Sequence, residues 1–236
     1  MTDDQRRPPV LFIPGMACSA EIFQAQALAL WPHASVMIAA IPPGETVAAM
    51  AAAILAEAPP RFAAVGVSLG GFIALEMMRQ APDRVERLAL LATNAHADTP
   101  DRAKARLAMI EAARSAHFPT FGETLFTDIM LPARRTEEPL RQIARRMADA
   151  VGFDAFARQV RSIMTRPDAR SRLPDIAVPT LIVVGDQDTV SPPAVAQDMA
   201  AAIPHARLVV LPDCGHAPTL EKPQEVNRAL IAWLTA

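Results

Sequence analysis

The sequence predicts an α/β domain: a mostly parallel sheet of about six core strands with helices on both faces and a helical cap inserted before the fifth strand. Three observations carry that reading. Short apolar runs rich in β-branched residues recur along the chain and are continuous rather than alternating, as expected for strands covered on both faces. Helical stretches fall between most of them. One connection, between the fourth and fifth runs, is about 85 residues long, too long for a structureless loop inside a compact domain.

In chain order, VLFI at 10 to 13 is the first strand and 21 to 30 a helix. SVMIA at 35 to 39 is followed by a helix over 45 to 58, and FAAVGV at 62 to 67 by a helix over 69 to 80. RLALLA at 87 to 92 precedes the insertion. TLIVV at 180 to 184 leads to a helix over 192 to 203, with Ser191 and Pro192 as its cap and first residue. ARLVVL at 206 to 211 is the last strand and 223 to 235 the last helix. Within the insertion, Thr99 and Pro100 make a helix entry. Leu107 and Ile110 share a face, then Phe121, Leu125 and Ile129, then Leu140, Ile143 and Met147, then Phe153, Phe156 and Val160. The expected organisation is a core of residues 1–98 and 174–236 and a four-helix cap of residues 99–173; the plainer alternative has the same helices packed on one side of the core.

At 236 residues and 51% hydrophobic content the chain has enough apolar material for one sizeable core. The polar start MTDDQRRPP lacks the pattern of a secretory signal, and no run approaches the length of a membrane span, so a cytoplasmic protein is expected. Cys18 and Cys214 stand far apart without metal-type spacing, which argues against a disulfide framework or a zinc site. A net charge of −2, with no RNA or DNA signature, removes nucleic-acid binding.

Only nine glycines occur, and three of them, Gly66, Gly70 and Gly71, surround Ser68 where an apolar run ends and a helical pattern begins. A strand-to-helix turn that tight needs small neighbours, and it leaves the serine hydroxyl exposed at the carboxyl edge of the sheet. The rival reading, helix packing glycines beside a capping serine, is decided by whether partners exist. A serine hydroxyl needs a base, and imidazole titrates near neutral pH. Of five histidines, His33 and His205 follow helices, His96 follows the fourth strand and His117 lies in the insertion. His216, in DCGHAP directly after the last strand, falls on the same sheet edge as Ser68, because parallel strands deliver their carboxyl ends to one side. For the carboxylate that holds the imidazole, Asp188 stands at the apex of VVGDQDTVSPP, with Asp186 and Asp98 as alternatives and Asp213 an outsider.

With GVSLGG at 66 to 71, GDQD at 185 to 188 and DCGHAP at 213 to 218 in the order Ser, Asp, His, the chain resembles the α/β-hydrolase family over almost its whole length, and within it small capped serine esterases and enol-lactonases. The resemblance implies that Ser68 is the nucleophile, His216 the base and Asp188 the acid. It implies an oxyanion hole from the backbone N–H groups of Leu69 and Met16, the latter in LFIPGMACS, where this chain has Pro14-Gly15 in place of the frequent His-Gly. It implies ester hydrolysis with no metal or organic cofactor. Because only about nine residues precede Val10, the antiparallel hairpin of many relatives is not expected and about six strands are.

Residues 99–173 hold 14 of the 23 basic and 9 of the 25 acidic residues. That polarity would draw an anionic or carrier-bound ester or acyl substrate, or it marks solvated helix faces. Phe118, Phe121, Phe126, Phe153 and Phe156, with Met130 and Met164, either seal the cap or line an acyl pocket. Lactonase, thioesterase, C–C bond hydrolase and acyltransferase chemistry would use the same three side chains, and a ligand-binding protein with little turnover is the reading from another class. No repeat or heptad speaks to oligomeric state.

Overall fold

The computed structural model describes residues 7–236. Six strands form one sheet, β1 (Val10–Ile13), β2 (Val36–Ile38), β3 (Phe62–Val67), β4 (Val85–Leu91), β5 (Thr180–Gly185) and β6 (Ala206–Leu211), in the spatial order β2-β1-β3-β4-β5-β6. Every pairing is parallel, so the sheet is wholly rather than mostly so. The inner strands β1, β3 and β5 are buried along their whole length. The continuous apolar runs of β2 and β6 belong to edge strands that are only half-covered, with Val210 exposed, because a sheet edge has one neighbour fewer to hide behind.

Helices α1 (Gln24–Leu30), α2 (Val47–Glu57), α3 (Leu69–Gln80), α7 (Pro193–Ala202), α8 (Pro218–Glu221) and α9 (Pro223–Thr235) pack on the sheet. Alternate strand residues point to opposite faces. Val10, Phe12, Val65, Leu91 and Val183 meet Leu30 of α1 and Leu230 and Trp233 of α9. Leu11, Ile13, Ala64, Leu90 and Ile182 meet Met50 and Ile54 of α2, Ile73 and Met77 of α3 and Met199 of α7. Helix α7 starts one residue later than the sequence predicts: Pro192 is its cap, and Ser191 is buried in the preceding loop.

Between β4 and β5 lie α4 (Pro100–Ser115), α5 (Phe118–Asp128) and α6 (Glu138–Met164). Thr99 caps α4 by accepting from the Arg102 N–H, and Pro100 follows. Helix α6 is broken at Gly152, whose φ of 73° only glycine adopts readily, giving four helical segments. Phe118, Phe121, Phe153 and Phe156 interleave, with ring centroids 5.2 to 6.4 Å apart. This cluster also takes in Met16 and Ala17 from the loop after β1. Leu107, expected beside Ile110 in the buried face, is exposed. Phe126 and Met130 join the sheet core instead of the aromatic cluster. No helix among the described residues is long and apolar enough to cross a membrane.

Candidate active site

Four non-glycine residues among the described ones have positive φ: Ala17, Ser68, Ala92 and Asp213. Each lies just beyond the carboxyl end of β1, β3, β4 or β6, so backbone strain gathers along one rim of the sheet. Ser68, with φ 53° and ψ −113°, joins β3 directly to α3. Its N–H continues the sheet ladder to the Leu91 carbonyl at 2.9 Å, and its own carbonyl accepts from Gly71 N–H at 2.9 Å and from Thr93 Oγ1 at 2.8 Å. A Cβ at Gly66 would collide with the Gly70 backbone, one at Gly70 with the Ile13 carbonyl and one at Gly71 with Thr93. The glycines are there because β1, β3 and α3 meet at van der Waals distance around the serine.

From the far end of the chain, His216 brings Nε2 to 3.0 Å from Ser68 Oγ across a sequence separation of 148, and Nδ1 to 2.7 Å from Asp188 Oδ2. Asp188, 3% exposed, has its other oxygen occupied: Oδ1 accepts the N–H groups of Val190 and Ser191, both at 2.8 Å. A carboxylate only accepts, so it fixes the hydrogen on Nδ1 and leaves Nε2 as acceptor for the serine O–H. Ser191 Oγ in turn accepts from Asn94 Nδ2 at 3.2 Å, tying the loop after β5 to that after β4.

The alternatives go elsewhere. Asp186 Oδ1 accepts from the Cys214 N–H at 3.2 Å, a brace between two loops. Asp98 pairs with Arg106 and, at 2.9 Å, with Arg166. Among the described residues no other histidine bonds to Ser68 or Asp188.

Gly15 sits against Ser68: a Cβ added to this glycine would lie 3.5 Å from the serine Cβ, so the loop after β1 borders the hydroxyl. Leu69 is the first residue of α3, where an N–H has no acceptor within the helix. Met16 is half-buried at the loop tip, and its carbonyl accepts from the Cys18 thiol at 3.3 Å. The next N–H, that of Ala17, is held at 2.9 Å by Oε1 of Gln159, a buried residue of α6. Burial pushes the Cys18 thiol up to about 12 and the Cys214 thiol higher still, the latter with help from the neighbouring Glu221 charge.

Several residues that shape the site escape a sequence reading. Glu221, 2% exposed, accepts from Gly215 N–H at 3.0 Å and Ala217 N–H at 2.9 Å, one on each side of His216, and from Leu131 N–H at 2.8 Å. The His216 N–H itself donates to the Ile129 carbonyl at 2.9 Å. The histidine loop is thus clamped between α8 and the segment that follows α5. Gln159, Thr93 and Asn94 act on groups far away in sequence, so no local spacing announces them, whereas Glu221 lies only four and six residues beyond the amides of Ala217 and Gly215 and that local spacing could have marked it. No cluster of metal-ligating side chains occurs among the described residues.

Comparison with known proteins points one way. The sequence profile of the alpha/beta hydrolase fold matches residues 43–223. The chain is 31% identical over 178 residues to a pimeloyl-[acyl-carrier protein] methyl ester esterase of Nitrosomonas europaea, covering 71% of this chain and 69% of that one. Among solved structures it is similar to a thermophilic esterase from Thermogutta terrifontis, with a TM-score of 0.86, 27% identity and coverage of 98% and 90%. An enol-lactonase from Burkholderia xenovorans shares the fold at a TM-score of 0.87 and 22% identity, with coverage of 99% and 94%.

Proposed function

The chain belongs to the α/β-hydrolase fold family, and from that premise we propose a serine hydrolase that cleaves carboxylic esters, with Ser68 as nucleophile, His216 as general base and Asp188 as the carboxylate behind it. The observation that carries the assignment is the unbroken hydrogen-bonded line from Ser68 Oγ through His216 to Asp188. Ser68 Oγ attacks the ester carbonyl carbon as its proton passes to His216 Nε2. The carbonyl oxygen gains the negative charge, and the N–H groups of Met16 and Leu69 face it. Collapse of this intermediate breaks the bond to the alcohol, which leaves with the proton from His216. Water then attacks the acyl-serine, giving its proton to His216, and the acid departs as Ser68 recovers its hydrogen. Nothing in the cycle calls for a metal or an organic cofactor.

Residues 99–173 act as a cap over a core of residues 1–98 and 174–236, and the half-buried Phe121, Phe153 and Met164 supply an apolar wall for the acyl group. The ester is carrier-bound or otherwise anionic, as supported by the Nitrosomonas relative and by the basic excess of the cap. Part of that excess is tied up in pairs such as Arg141 with Glu123 and Arg146 with Glu21. Arg102, Lys104 and Arg161 are exposed without an ion-pair partner among the described residues, and they are free to meet an acidic partner.

The test is hydrolysis of p-nitrophenyl esters, lactones and thioesters by the wild type and by Ser68→Ala. Turnover is expected in the wild type, with esters preferred, and no turnover above background is expected in a variant whose circular dichroism is unchanged. Undiminished turnover in Ser68→Ala would move the site elsewhere. Fluorophosphonate labelling at Ser68 without more than one product equivalent per protein would instead favour a ligand-binding protein.

A further inference from the structure

A cavity of about 390 Å3 opens one helical turn along α3 from Ser68, between α3, the end of α6 and the segment leading to β5. Ser68, His216, Met16 and Leu69 do not line it. Its walls are apolar, formed by Val47, Phe72, Leu75, Met78, Leu173 and Ile176. Its charged groups are three arginines, Arg79, Arg166 and Arg172, against two carboxylates, Glu76 and Asp175. Glu76 is already engaged by Arg79 and Gln80. Arg172 is exposed with no ion-pair partner among the described residues.

Arg166 is the unusual member. It is 6% exposed and lies over the Phe72 ring, its guanidinium carbon 4.1 Å from the centroid. Nη1 donates to Asp98 Oδ1 at 2.9 Å and to the Ile163 carbonyl at 2.7 Å. Nε and Nη2, the two donors of the side-on fork, have no partner among the described residues. Asp98 does not neutralise Arg166 alone, because Arg106 shares the same carboxylate. A buried guanidinium with an unmatched fork is left with donors that a planar bidentate acceptor would satisfy.

We propose that this cavity is a ligand site for an amphipathic carboxylate of medium chain length, with its head on the arginine wall and its chain along the face of α3. The size falls in the range of small-molecule sites, and the combination of apolar walls with a few convergent charges is what such sites present. Arg172 receives the anion at the mouth. The Arg166 fork, stacked on Phe72, swings off the ring to take both carboxylate oxygens. A carboxylate is favoured over a phosphate because Glu76 and Asp175 offset two of the three arginines, which leaves a surplus suited to a singly charged head and opposes a doubly charged one. Because Asn94 lines the cavity and also holds Ser191, whose N–H donates to Asp188, an occupant touches the frame of the active site without entering it.

Methionine methyl NMR separates this site from the one at Ser68, since Met78 lines the cavity and Met16 follows the Gly15 that borders the serine. Octanoate is titrated into protein labelled at methionine methyls, with octanamide and inorganic phosphate as controls. Saturable shifts of the Met78 methyl are expected with octanoate while Met16 stays still, and octanamide is expected to bind at least about tenfold more weakly. Arg172→Ala and Arg166→Lys each weaken octanoate about tenfold, and Ala169→Phe, which leaves the Arg166–Asp98 pair intact, abolishes the shift. Shifts at Met16 alone, equal binding of octanamide, an equal response to phosphate, or affinities within about twofold of the wild type in all three variants would overturn the proposal.

Discussion

Ser68 occupies a backbone region that costs a side-chain-bearing residue on the order of 1–3 kcal/mol, and the surroundings compel it: Leu91 and Thr93 hold its amide and carbonyl, while Gly70 and Gly71 leave no slack. The same constraint governs His216, whose orientation is set by the Glu221 carboxylate holding the amides on either side. Glu221→Gln keeps the shape but turns an NH2 group toward N–H donors, so at least one bond is lost. We expect kcat on a p-nitrophenyl ester to fall about tenfold to a hundredfold with KM little changed. A rise in KM alone, with kcat intact, would show that Glu221 only packs. Cys18 gives a second residue-level expectation. With burial holding its thiol near 12, it stays protonated at about pH 8, so iodoacetamide leaves native protein unmodified at this position and alkylates it only after unfolding, as mass spectrometry would read.

Helix α6 is the element on which the two halves of the molecule depend. Through Gln159 it holds the Ala17 amide next to Met16, and at its end Arg166 reaches Asp98 beyond β4. The break at Gly152 lets one segment cover the core with Leu140 and Met147 while the other turns Phe156 and Val160 to the aromatic cluster. The separate faces 140/143/147 and 153/156/160 were legible in the sequence because each segment keeps its own period. The exposure of Leu107 was not, because α4 buries only Ile110 and Ala113 and so meets less apolar surface than its pattern offers. Asp98 makes the element sensitive to acid. Burial alone would raise its carboxyl, but the Arg106 hydrogen bond and the Arg166 and Arg106 charges outweigh that and hold it below the usual carboxylate range. A depressed folded value means that the stabilisation is complete above about pH 4, the unfolded range, and is lost as pH falls through the folded value. In thermal unfolding the wild type therefore loses stability below that pH more steeply than Asp98→Asn, which starts lower at about pH 7 because Arg166 is left without its counter-charge.

At the scale of the whole molecule, the spatial order of the strands is set by contacts that no local pattern records, whereas the parallel sheet and the side on which its loops gather follow from strands covered on both faces, which the sequence states plainly in β3 and β5. Ser68, Asp188 and His216 were locatable for the same reason, since each follows a strand by a few residues. Gln159 was hidden because its partner is an amide 142 residues away that becomes a neighbour only on folding, and of the Glu221 bonds the one to Leu131 was hidden in the same way. The charge split between residues 99–173 and the rest is a property of the whole chain and carries its own expectation. For an anionic ester kcat/KM falls as ionic strength rises from about 0.05 to about 0.5 M, while for a neutral ester of equal size it does not. A parallel fall for both would leave the basic helices as solvated faces. The parallel order has a further bearing on biosynthesis. Ser68 leaves the ribosome well before its imidazole, which follows 148 residues later, and β5 and β6 must dock before the two can touch. A nascent polypeptide cut short before residue 216 consequently carries the Ser68 hydroxyl with no imidazole beside it.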